Sequence, residues 1–153
     1  MKTDIVNTLQ IELKKTILKT RLLYRFDRIN KVNIHEYFDG LKNIIVIVKT
    51  KSGQHIAAFS EDPFLKNHIA TGKGFIFALT ERKVFGLNTK NKLTKAIIYD
   101  DFYMIFGNSE LRIKTGDNKI FSNFGIINNF YETKGETVNS IMGEGEKTRE
   151  VLL

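Results

Sequence analysis

Residues 43–60, NIIVIVKTKSGQHIAAFS, constrain this chain more than any other stretch. Positions 44–48 form an unbroken run of β-branched residues. Such a run is too short for a core helix and consists of strand formers, so it predicts a buried strand. Lys51, Ser52, Gly53 and Gln54 supply a turn, in which Gly53 is free to take positive φ. Residues 55–60 then read as the returning strand.

The rest of the chain repeats this grammar of short apolar runs and turn residues. Phe75–Leu79 is a second fully apolar run, with 84–87 as its hairpin partner after a turn at 81–83. Strands are expected at 22–26, 95–99, 103–106 and 111–113. Residues 121–127 and 138–142 are weaker apolar segments, 144–150 is polar, and 151–153 is expected to begin a last strand. Residues 61–73, around Pro63, read as a polar loop with one helical turn. Helical spacing is confined to two places. Ile5, Leu9, Leu13 and Ile17 recur every four residues, which predicts a helix over 4–19 with Thr3 as N-cap. Its stripe is expected to pack on the domain's own core, with a membrane-surface or partner helix as the alternative. Residues 33–38 predict a short helix capped by Asn33, with Glu36 three residues on and Asp39-Gly40 at its end. Many short strands with few helices predict an α+β, mainly β fold: a two-sheet antiparallel β-sandwich with peripheral helices. Ile45, Ile47, Phe75, Phe77 and Ile97 are the core residues expected between the sheets.

The chain of 153 residues is one domain's worth. It has no cysteine, which removes disulfides, zinc–thiolate sites and thiol catalysis together. The first twenty residues are too charged for a signal peptide, and no run approaches transmembrane length. A cytoplasmic location is the expectation, since a cysteine-free chain fits a reducing compartment without requiring one. The net charge of +7 is uneven: residues 1–51 hold eleven Lys or Arg against five Asp or Glu. An excess of this kind suits an anionic partner, such as an acidic protein face, nucleic acid or a membrane surface. Scattered basic residues also suit a plain solvated surface. Lys14, Lys15, Lys19 and Arg21 are the candidate partner-binding residues, because they would flank the apolar stripe of the first helix.

Catalytic chemistry finds little footing. His35, His55 and His68 do not fall at the spacing of a helical metal pair. The pairs Asp100-Asp101 and Glu61-Asp62 are adjacent in sequence, and on a strand adjacent side chains point to opposite faces. Thr71-Gly72-Lys73-Gly74 precedes an expected strand rather than the helix a phosphate loop needs. Ser122 lacks the nucleophile-elbow pattern. The expectation is therefore no catalytic residue, no metal and no cofactor.

Six short motifs stand in a fixed order along the chain. They are Leu22-Leu23-Tyr24, Phe38-Asp39-Gly40, the 43–60 hairpin, GFIFALT at 74–80, FGNSELRI at 106–113 and FSNFG at 121–125. In order and spacing they resemble the TLDc domain, the family that includes the oxidation resistance proteins. The likeness covers roughly residues 20–153, with 1–19 as a helix packed on or leading into the domain. Two departures stand out. The family's usual Trp after the hairpin is absent, with Phe64 as its candidate substitute. Its acidic–apolar closing strand is missing or cut short after Leu153, which marks a truncated or a divergent member. The resemblance implies two antiparallel sheets packed face to face. It also implies a non-enzymatic protein-interaction module, protection against oxidative damage and, in several members, binding to the vacuolar proton-pumping ATPase. The partners it implies are proteins, including vacuolar ATPase subunits, rather than nucleic acid, with a monomer as the favoured state. The rivals are a scaffold-bound protein docking on an acidic surface, and an enzyme acting on oxidants.

Overall fold

The computed structural model describes residues 2–14, 16–17, 19–23, 25, 35–50, 52–65, 68–70, 74–86, 97–99, 103–107, 111–114, 119–121, 131, 134 and 148–150. In chain order its elements are α1 (Lys2–Leu13), α2 (His35–Phe38), β1 (Ile44–Lys49), β2 (His55–Ser60), β3 (His68–Ala70), β4 (Gly74–Ala78) and β5 (Lys83–Gly86). They continue with β6 (Ile97–Tyr99), β7 (Tyr103–Phe106), β8 (Leu111–Lys114), β9 (Lys119–Phe121) and β10 (Thr148–Glu150). The described strands pair into two antiparallel sheets: a four-stranded one in the order β1-β2-β4-β5, and a six-stranded one in the order β10-β9-β8-β7-β6-β3.

The β1–β2 hairpin forms where the sequence predicts it. Gly53 takes φ 86°, and its N–H donates to the Thr50 carbonyl at 2.9 Å. Thr50 is fully buried, and its Oγ1 accepts from the Gln54 N–H at 3.0 Å. A buried hydroxyl with a partner of this kind avoids the desolvation penalty that an unsatisfied one would carry.

The four-stranded sheet is apolar on both faces. On one face Val46, Ala58, Ile76 and Phe85 lie in a single cross-strand row. All four are buried in a cluster that also takes Met104 and Phe106 from β7 and Leu111 and Ile113 from β8. On the other face Ile47, Ala57, Phe77 and Val84 form the row. They share a second cluster with Ile5, Leu9 and Leu13 of α1. Ile45, Ile47, Phe75 and Phe77 thus face α1 and not the six-stranded sheet, a correction to the expected core; the side chain of Ile97 lies outside the described residues. The reason is parity. In a strand apolar at every position, the pattern does not say which alternate set meets which neighbour. Phe75 stacks on Phe59 at 6.2 Å between ring centroids and meets Phe77 at 6.1 Å, which makes the helix-facing side aromatic.

Helix α1 is shorter than its spacing predicts and starts earlier, so Thr3 lies inside it rather than at its cap. It stops at Leu13 because Lys14 turns left-handed, at φ 52°, with its N–H reaching the Ile11 carbonyl at 3.3 Å. Ile17 still joins the same apolar cluster from beyond the helix end. Residues 22, 23 and 25 are not in a strand, contrary to expectation, and 24 and 26 lie outside the described residues. So do 33 and 34, at the expected start of α2, and the expected segments at 138–142 and 151–153.

Two strands occur where polar sequence reads as loop. β3 pairs with β6, and β10 pairs with β9. A corner joining the segment before β1 to the one after β2 is tied by backbone bonds. Gly40, at φ 76°, donates to the Phe64 carbonyl at 2.7 Å, and the Phe64 N–H returns to the Leu41 carbonyl at 3.1 Å. The Phe64 ring is fully buried, 6.4 Å from that of Phe38.

Candidate interaction surface

The basic residues singled out in sequence follow from where α1 ends. Its apolar stripe is committed to the sheet, so its remaining faces and the segment after it meet solvent. Lys14 is exposed at the helix end, and Lys19 and Arg21 are exposed in the irregular segment that follows. Lys15 lies outside the described residues. The segment is held against the helix by one side-chain bond: the Ile17 N–H donates to Gln10 Oε1 at 2.9 Å. That bond bends the chain back beside α1 and leaves an open depression lined by Asn7, Gln10, Ile11, Lys14 and Thr16. Ile11, in its lining, is 73% exposed, and Leu22, farther along the segment, is 79% exposed. The helical spacing and the charge were legible in sequence. Ile11 and the Gln10–Ile17 tie were not, because neither belongs to a pattern.

A second polar arrangement lies at α2. His35 Nδ1 and Asp39 Oδ1 are 2.8 Å apart, four residues apart in sequence. An imidazole on a carboxylate is also the pair that orients a general base. Here His35 opens the short helix and Asp39 follows its end, and the bond ties α2 to the Asp39-Gly40 corner. Sequence reading tested the histidines against one another and missed this pair, although the His-x-x-x-Asp spacing announces it. On β7 and β8 the Arg112 guanidinium lies 3.7 Å over the Tyr103 ring, a cation–π contact between diagonal cross-strand neighbours. Lys134 reaches the edge strand β5, where its Nζ donates to the Val84 carbonyl at 3.0 Å.

Among the described residues no group of three or more His, Asp or Glu gathers as metal ligands would, and no helix is long and apolar enough to cross a membrane. The arrangement near α1 presents exposed cations and a protruding aliphatic group to solvent.

Compared with known families, residues 1–150 match the model of the TLDc domain. The matched span takes in α1 as well as both sheets. No curated protein matches the chain.

Proposed function

Since this chain belongs to the TLDc domain family, we propose that it is a non-enzymatic protein-interaction module, linked to oxidative-stress protection and to regulation of the vacuolar proton-pumping ATPase. The family match over residues 1–150 carries the reading. The exposed Lys14, Lys19 and Arg21 support its interaction half, with Lys15 adjoining them in sequence. The two sheets are read as the halves of a sandwich, which one buried cluster drawing on both of them supports.

The direct test is capture of purified vacuolar ATPase subunits by the immobilised full chain. Saturable binding is the expected result, and no binding at low salt would overturn the link to the pump. Exposed charges change association rates more than stability. Reversing Lys14, Lys15, Lys19 and Arg21 to Glu is therefore expected to leave the melting temperature nearly unchanged. Capture should slow by about tenfold at low salt and less at high salt, where screening shortens the reach of each charge. Unaltered kinetics in the folded quadruple variant would make these residues solvated surface only.

The rival reading, an enzyme acting on oxidants, has the His35–Asp39 pair in its favour. It lacks a thiol to turn over, since the chain has no cysteine. Its three methionines can consume oxidant stoichiometrically, which is not catalysis. The purified chain is expected to show no multiple-turnover removal of peroxide. Steady turnover by metal-free protein, persisting after all three methionines are replaced, would favour the rival.

A further inference from the structure

The four-stranded sheet ends in two unlike edges, β1 and β5. The ladder tells which backbone groups face outward, because opposite residues of an antiparallel pair alternate between exchanging bonds and not. The Thr50 N–H donates to the Gln54 carbonyl at 2.8 Å, one step beyond the Lys49–His55 pair. Counting back by twos, Val48, Val46 and Ile44 bond to β2, and Ile45, Ile47 and Lys49 turn their N–H and C=O groups away from it. The other side of β2 agrees. The Leu79 N–H donates to the His55 carbonyl at 2.8 Å, so His55, Ala57 and Phe59 serve β4.

By the same count Val84 points outward on β5, and there its carbonyl is taken by Lys134 Nζ. β5 has four residues, and the end strands of the other sheet, β3 and β10, have three each. Short length and a covering lysine both blunt an edge. β1 has neither. It runs six residues in unbroken register without Pro, and among the described residues nothing pairs with its outer side.

We infer that the outer edge of β1 is a strand-addition site for an extended segment of a protein partner, one that is apolar along residues 44–48 and acidic where it passes Lys49. This rests on the interaction-module reading and names the chemistry of the partner.

A row of donors and acceptors repeating about every 7 Å is matched by another extended backbone. A lipid headgroup layer or a nucleic-acid backbone has no such repeat. The side chains set the sequence of the added strand. Ile44, Val46 and Val48 are buried toward the six-stranded sheet, and Ile45 and Ile47 are half-buried on the α1 side. An apolar strand beside them extends both faces. Lys49 is exposed at the strand's end, where an opposite charge across the ladder stabilises and a like charge destabilises. The start of β1 already has Glu61 and Asp62 near it at the end of β2, so the acid is called for at Lys49. Charge also separates a partner from a second copy. Residues 40–60 hold Lys42, Lys49 and Lys51 and no acidic residue, so no pairing of β1 with itself along its length sets a carboxylate opposite Lys49. Two copies at +7 each repel as well.

The test uses the full chain and a synthetic peptide with a run of valine and isoleucine between two glutamates. Further probes are the same peptide N-methylated at every second residue, in either alternate set, and a counterpart with lysines in place of the glutamates. One N-methyl set should weaken binding about tenfold or more, and the other, whose amides point away from β1, should bind like the parent. The lysine peptide should bind about tenfold more weakly than the parent, and Lys49→Glu should reverse that preference. Ile47→Pro removes an outward N–H and spares the bonds to β2, and it should weaken the parent about tenfold. Melting temperatures check that each variant is folded, and Lys49→Glu, at an exposed side chain, keeps the test decisive if Ile47→Pro does not fold. No saturable binding of the parent peptide would overturn the inference, as would parent-like binding of both N-methyl sets or equal binding of the glutamate and lysine peptides. A concentration-dependent dimer of the unaltered chain that Ile47→Pro or Lys49→Glu abolishes would assign the edge to a second copy and overturn it too. Pump-subunit capture that survives both variants would sink this edge alone. Failure of pump capture with the peptide result intact would sink the link to the pump alone.

Discussion

Phe85→Ala is expected to lower folding stability by about 3–5 kcal/mol, the range for emptying a buried aromatic site. Phe85 is fully buried, opposite Ile76 in the row of the four-stranded sheet that meets β7 and β8. Truncation removes a ring from a cluster in which both sheets take part, and a strand backbone cannot close the gap. Val84→Ala, one residue away, is the control: Val84 faces α1 and is only half-buried, so it should cost about 1 kcal/mol. Urea titration of the two variants measures both. A loss at Phe85 below about 0.5 kcal/mol, the scale of ordinary surface changes, would contradict the core described above.

Leu9→Asp is expected to be worse than any truncation, with a loss of about 4 kcal/mol or more. Leu9 is 5% exposed in a cluster with Phe59 and Phe77, and an unpaired carboxylate there gains no compensating bond. The same change at Ile11, two residues on and on the solvent side of α1, should cost no more than about 0.5 kcal/mol. Thermal melts check both, and limited proteolysis within residues 2–13 gives a second readout, since release of α1 opens the helix backbone to cleavage. A Leu9→Asp chain that melts with the unaltered one would show that α1 contributes nothing to the domain.

Much of this architecture was legible because turn chemistry and apolar runs agreed locally. The β1–β2 hairpin is the clearest case: the β-branched run, the Gly53 turn and the return strand all point to one structure. What did not show was which face of that sheet meets which layer, because every position of 44–48 is apolar and α1 covers the side the other sheet does not. β3 and β10 were missed for a different reason. His68–Ala70 and Thr148–Glu150 join the sheet edges through backbone pairing, which leaves no apolar alternation to read. The helix end was misplaced because Lys14, a residue with no special liking for positive φ, takes the left-handed turn usually given to Gly. At the candidate surface, charge was visible in sequence and arrangement was not. Nothing about Gln10 or Ile17 announces that one bonds the other and folds the segment back.

Helix α1 also fixes an order of events during synthesis. Its stripe of Ile5, Leu9 and Leu13 is made before Ala57, Phe59 and Phe77, on which it rests and which come about fifty to seventy residues later. At a synthesis rate of about 5–20 residues per second, the stripe waits several seconds for its platform. Throughout that interval an apolar helix face and a string of cations are displayed together on a nascent chain. The helix that covers one face of the finished sheet thus docks only after the strands beneath it have been translated.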